Sequence, residues 1–367
     1  MSRQFSTALI VLAIASAVPC LGQAANCTPS FPLEKGKTLG WEGADAAYSI
    51  PLHDGRDVWI FGDTLYGKER VVAGHDPQQM HNSLGISRCD AAGKWHLQYA
   101  IKHDKAGRAE SYFSPADPQH WYWALDGFKA NGDLWVTLLC IRHAAKPSPW
   151  AMDFETCGSD LARVSHLDRD PQDWDVKISP LVADGVKSYP SATTVVWGKY
   201  AYLFALYESG GRPLQVTRIP LSGLNDPKAH LEYLAEDGTW KAGFDPTKAK
   251  AVMKNGSTEL SIRYHPERKQ WVAVMFEPVG FSSKVLMRTA PELTGPWTEG
   301  DVIYQVPEMK PGPGYDKNTF CYAGKEHPEF ETGDLVFTYV CNTMNVPSLV
   351  TNPKIYFPQV VRMPMPK

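Results

Sequence analysis

The chain has 367 residues, 43% of them hydrophobic and 21% charged, with a formal net charge of −3. That mixture is too apolar and too evenly charged for a disordered polymer, and Lys+Arg (37) do not outnumber Asp+Glu (40), which excludes a chain built to coat a polyanion. Twelve Trp and sixteen Tyr are many for this length, and such rings either fill a β-protein's core or pave a sugar-binding surface.

In chain order, the first feature is a secretory signal over residues 1–24. Arg3 precedes an apolar run (8–18), and Gly22-Gln23-Ala24 places small residues at −3 and −1 of a cleavage site. Pro19 before Cys20 does not suit a lipid-attachment site. No later stretch reaches the ~18 apolar residues of a membrane span. The expectation is a soluble exported domain over 25–367, secreted or periplasmic. Six cysteines then remain, an even number in an oxidising compartment, and no C-x-x-C spacing points to zinc. Proximity in the sequence suggests Cys140–Cys157 and Cys321–Cys341, leaving Cys27 for Cys89.

A strand, a short polar turn and an aromatic-rich strand recur along the chain. The pairs are 46–52 with 57–61, 121–128 with 134–139, 190–196 with 200–206, 259–264 with 271–276, and 319–325 with 335–340. Asp54-Gly55 and Asn131-Gly132 are strong hairpin signals. Matching positions Ile60, Trp135, Tyr202, Val272 and Phe337 are 75, 67, 70 and 65 residues apart. Five hairpins at a near-constant period predict radial repetition: an all-β, single five-bladed β-propeller. A last strand over 354–363 is expected to complete a blade with N-terminal strands and close the ring.

Phosphate-loop, dinucleotide, zincin and hydrolase-elbow motifs are missing from the sequence. Carboxylates at strand ends remain. Asp45 and Asp63 fall within one residue of being equidistant from the Asp54-Gly55 turn, which makes them cross-strand or diagonal neighbours. Directly opposed residues have Cβ atoms about 4.5–5.5 Å apart, close to the ~5–5.5 Å between the carboxyl groups of a retaining glycosidase. Each Asp alone also suits an Asx-turn at a strand end. Stepping equally far back from every turn samples one ring of the propeller face: Asp45, then Trp121 or Tyr122, Tyr189, Glu259 and about Tyr322. Candidate sugar contacts are therefore Trp121, Trp123, Tyr189 and Glu259, with at least one ring of the Trp121–Trp123 group packing between blades because strand side chains alternate. His81, Asn82, Asp126 and Asp316 are weaker candidates, Asp126-Gly127 being read first as a bend. No metal ligands and no cofactor are assigned. A structural cation such as Ca²⁺ in the propeller channel stays open.

The segments W-E-G-A-D-A-A-Y-S, V-W-I-F-G-D-T, H-N-S, W-Y-W-A-L-D-G-F, L-T-G-P-W and F-C-Y-A-G-K-E-H-P resemble a secreted propeller family long known only as a domain of unknown function, some of whose members are endo-D-arabinofuranases that cut D-arabinan. The resemblance spans nearly the whole mature chain. It implies a five-bladed propeller, retaining hydrolysis of furanosides, and catalysis at Asp45 (acid/base) and Asp63 (nucleophile). The reading that follows is an exported glycoside hydrolase acting on a furanose-containing polysaccharide, without nucleic-acid partners. A glycan-binding lectin and an envelope interaction protein are the alternatives.

Overall fold

Short connections of two to seven residues between consecutive strands produce antiparallel hairpins, and five such hairpins head five separate sheets. They are seen in a computed structural model that describes residues 27–32, 40–67, 78–146, 153–278, 280–312, 315–352 and 354–366; the expected signal segment lies outside the described residues. The sheets hold five, four, five, four and three strands. Their inner strands are Gly40–Pro51, His120–Ala130, Ser188–Trp197, Leu260–His265 and Thr319–Glu326. Each inner strand packs against the next, and the fifth hairpin packs back on the first. The protein is a five-bladed β-propeller, as its repeat period predicts.

Local chemistry explains the hairpins. Asn131 and Gly132 both take positive φ (54° and 86°), the conformation a tight two-residue connection demands and these two residues tolerate. Trp59, Trp135 and Trp271 on the second strands are all buried between blades. All three expected disulfides form: Cys27–Cys89, Cys140–Cys157 and Cys321–Cys341. Among the described residues, no helix is long and apolar enough to cross a membrane.

Ring closure departs from the expectation. The last strand runs from Gln359 to Pro364 and pairs with Asp334–Thr343 of the fifth blade, not with N-terminal strands. Period-two alternation identifies a strand but carries no record of its partner. The seam between blades one and five is closed by side chains instead. Trp59 meets Phe31 (centroids 5.0 Å apart), Trp95 (5.6 Å) and Phe330 (5.6 Å), and the Arg362 guanidinium donates to the carbonyls of Cys27 and Phe330.

The channel is filled by buried charge, and here Asp126 is found, fully buried and away from the face on which it was expected. A register shift between Ala124 and Asp126 re-aims the strand, since one extra residue reverses which side a chain of alternating side chains presents. Asp126 Oδ2 accepts from the Thr193 hydroxyl and the Thr194 N–H, both at 2.7 Å. Lys325 Nζ and an Arg263 nitrogen each lie 3.6 Å from its carboxylate. Burial pushes the Asp126 pKa up, but the two cations outweigh it and hold the group below the usual carboxylate range. Removing one partner of such a pair leaves an uncompensated buried charge. Lys325→Met is therefore expected to destabilise the protein by about 3–5 kcal/mol, read as a lowered midpoint of urea denaturation with an unchanged slope.

Candidate active site

Asp45 and Asp63 sit on the two strands of the first hairpin, whose pairing runs Ala44↔Thr64 and then Ala46↔Phe61. The shift between those pairs is a bulge, and Ala46 and Ala47 within it adopt φ of 64° and 71°. Two consecutive left-handed residues turn the strand so that Asp45 leans over Gly62. A Cβ built at Gly62 would lie 2.2 Å from Asp45 Oδ1, so this glycine is the space that lets the Asp45 carboxyl lie beside Asp63. The bulge is held from blade five, where the Thr338 hydroxyl donates to the Ala47 carbonyl (3.1 Å).

The two carboxylates have different surroundings. Asp45 Oδ2 accepts from the hydroxyls of Tyr322 (2.8 Å) and Tyr356 (3.4 Å). Its pKa is held well above the usual carboxylate range, first by burial, then by the negative charges of Asp63 and Glu259; the two tyrosine hydrogen bonds oppose this. Asp63 is 20% exposed and faces N–H donors instead: the Trp123 indole donates to Oδ1 at 3.3 Å, and His81 Nδ1 lies 3.1 Å from the same oxygen. Among the described residues, Oδ2 of Asp63 has no hydrogen-bond partner. The Asp45 carboxyl is thus disposed to keep a proton, while Asp63 is partly exposed.

Four blades converge here. Blade two supplies Trp123, which also meets Phe154 edge-on at 4.8 Å, and Trp121, which stacks on His81 at 4.8 Å and 21°. Glu259, just before the fourth inner strand, accepts from the Tyr48 hydroxyl at 2.6 Å, and burial raises its pKa. Blade five supplies Tyr322 and, from the segment before its last strand, Tyr356.

Three expected contacts lie elsewhere, in addition to Asp126. Asn82 is fully buried; its amide donates to the carbonyls of Phe113 and Tyr122 (2.9 Å each) and accepts from the Phe113 N–H (2.7 Å), so it staples a loop beneath the site. Tyr189 is buried in the core between blades, turned inward just before the register shift between Pro190 and Thr193. Asp316 caps its own loop through Asn318 and accepts from the Thr343 hydroxyl at 3.1 Å; it borders a cavity of about 280 Å³ with Glu308, Lys310 and Lys354 and meets neither carboxylate of the pair. Tyr48 and Tyr356 were not singled out from the sequence; Tyr48 lies within the W-E-G-A-D-A-A-Y-S segment and on the inward parity of the first strand, whereas Tyr356 lies in none of the quoted segments.

Among the described residues, three groups of His, Cys and acidic side chains bring ligand atoms within 4.8 Å of one another. Two of them use disulfide-bonded cysteines, which have no thiolate to offer. The third is His265, Glu326 and Glu331, where His265 Nε2 already lies 2.5 Å from Glu326 Oε1. The carboxylate pair itself includes no such group. Another cavity, of about 270 Å³, opens at the far end of the channel between Ser49, His53, Arg263 and Glu329. Neither cavity has Asp45 or Asp63 in its lining.

The opposed effects on Asp45 can be separated. Tyr322→Phe removes a hydrogen bond to the charged form and is expected to raise the Asp45 pKa further, whereas Asp63→Asn removes a like charge and is expected to lower it. Infrared or carboxyl-carbon NMR titration of Asp45 checks both directions without reference to any activity.

Residues 35–364 match the family model described as a domain of unknown function (DUF5005). No curated protein matches the chain in sequence. Among solved structures, a candidate hydrolase from Bacteroides ovatus ATCC 8483 is similar at 17% identity, covering 89% of this chain and 86% of that one, with a TM-score of 0.67. A family 117 glycoside hydrolase from Zobellia galactanivorans (11% identity, 93% and 88% coverage, TM-score 0.48) and a GH43_1 enzyme from Xanthomonas citri (11%, 88% and 86%, 0.47) are similar more remotely. The first likeness shows a shared fold; the other two are too slight to argue from.

Proposed function

The chain belongs to the DUF5005 family, and we propose that it is an exported glycoside hydrolase that cleaves a furanose-containing polysaccharide, with D-arabinan as the first substrate to try. One observation carries the reading: two carboxyl groups share the open end of the first hairpin, Asp45 with a pKa raised by burial and in part by the charge of Asp63, and Asp63 partly exposed and accepting from the Trp123 indole. That division of labour is what a retaining glycosidase needs. The motif resemblance to a family with D-arabinan-cleaving members supports the choice of sugar. Three disulfides, with a signal-like segment over 1–24, support export and cleavage of that segment to leave one catalytic domain.

In this reading the protonated Asp45 gives its proton to the glycosidic oxygen as the bond to the anomeric carbon breaks. An Asp63 oxygen attacks that carbon from the other side and forms a glycosyl ester. Asp45, now a carboxylate, then takes a proton from water as the water attacks the ester; the sugar leaves with its original anomeric configuration, and both side chains return to their starting states. The tyrosines that donate to Asp45 stabilise it in its charged phase, and burial restores its affinity for the proton.

Asp45→Asn and Asp63→Asn are each expected to cut oligosaccharide release from arabinan by about 10²–10⁴-fold while leaving polysaccharide binding intact, measured by reducing-end assay and calorimetry. Activity that survives both changes would sink the proposal. Because the working form of Asp45 carries a proton, the rate should fall as pH rises through its elevated pKa, on the alkaline side of an ordinary carboxylate. Gly62→Ala offers an independent check. It displaces the Asp45 carboxyl and should lose activity on the scale of Asp45→Asn, with far-ultraviolet circular dichroism unchanged.

A further inference from the structure

Blades five and two flank blade one, so the paired carboxylates face different neighbours: Asp45 is bonded to Tyr322 of blade five and Asp63 to Trp123 of blade two. On the blade-five side, aromatic rings continue outward from that contact. Tyr322 stacks nearly parallel with Phe320 (5.7 Å, 18°), and Phe320 meets Phe281 of blade four at 4.3 Å. Phe281 is 39% exposed, although it sits where the second strand of its blade ends, at the same end of the ring as Asp45. A single exposed ring needs no explanation. Three rings in contact, leading from the surface to a carboxyl group with a raised pKa, make a continuous apolar ledge that ends at the chemistry.

We propose that Phe281 and Phe320 form a sugar-binding platform for the leaving-group side of the scissile bond. The inference rests on the hydrolase reading and deepens it. In a two-carboxylate reaction the nucleophile contacts the anomeric carbon of the retained sugar, while the acid contacts the oxygen of the departing one. Rings that reach Asp45 therefore lie along the departing chain, and Trp123 beside Asp63 lies along the retained one. The C–H faces of furanose rings pack on flat aromatic surfaces such as these.

The test uses the full-length mature protein with three variants, Phe281→Ala, Phe320→Ala and Phe320→Leu, the last keeping volume but removing the flat face. Each is expected to raise KM for arabinan about 3- to 10-fold, the range of one lost aromatic contact. The loss should be larger for the polymer than for a nitrophenyl furanoside, whose leaving group is too short to reach Phe281. Thermal melting confirms that the variants are folded. Polymer KM within twofold of wild type in all three overturns the platform and leaves the hydrolase reading standing. If the wild-type protein binds arabinan oligosaccharides without cleaving them, the hydrolase reading fails, and calorimetric Kd values for the same variants still judge the platform. No binding and no cleavage overturns both.

Discussion

The structure depends on a single buried carboxylate. Asp126 belongs to blade two, accepts hydrogen bonds from Thr193 and Thr194 of blade three, and lies beside Arg263 of blade four and Lys325 of blade five. Lys325 in turn sits 4.0 Å above the ring of Tyr48 from blade one. Every blade is thus tied to one hub in the channel. Taking these charges out of water costs several kcal/mol per ion, and the cost is offset only while all partners are in place. Apolar packing between blades tolerates sliding of a sheet; a shared charge does not, which makes the hub a device for fixing the number and angle of the blades.

The site stands directly on this hub. The Tyr48 ring carries Lys325 on its face, while its hydroxyl donates to Glu259, whose charge bears on Asp45. Register shifts recur at the same level of the inner strands, at Ala44–Tyr48, Ala124–Asp126, Pro190–Thr193 and Tyr322–Lys325. Each one changes which face the following residue presents. Below the shifts, polar side chains point into the channel and bind one another; above them, the strands turn carboxylates and rings toward the mouth. The bulges are the boundary between the part that holds the ring together and the part that is free to act on a ligand.

That boundary also explains what could be read from the sequence. Turn chemistry and repeat period disclosed five hairpins, because Asp-Gly and Asn-Gly act locally and leave no choice of partner. The same logic brought Asp45 and Asp63 together across one turn, and sequence proximity paired the cysteines. What needed counting along a strand beyond a bulge was not legible. Tyr189 was expected at the mouth by stepping back from its turn and Asp126 by its place beside the Trp121–Trp123 group, and the register shift beside each sent the side chain inward. Asn82 resembled a polar contact residue, but an amide with three backbone partners is a loop staple, a role no neighbouring residue type announces. Of the tyrosines that bond Asp45, Tyr322 fell on the ring sampled by stepping back from the fifth turn, while Tyr356, 311 residues away, had no local pattern to mark it. Closure by the seam of Trp59, Phe31 and Phe330 was equally silent, since it is made by shape.

The distribution of these partners along the chain has a consequence for when the protein becomes active. Asp45 and Asp63 emerge early in synthesis and lie on one hairpin, so local folding can bring them together. Tyr322 and Tyr356, which bond Asp45, and Lys325, which completes the hub beneath it, emerge last. A nascent chain would hold both carboxylates yet lack the low-dielectric seat that raises the Asp45 pKa. The surroundings that raise the Asp45 pKa are thus complete only once the final blade has folded, so the last part of the chain to be made decides the electrostatics of a carboxyl near its start.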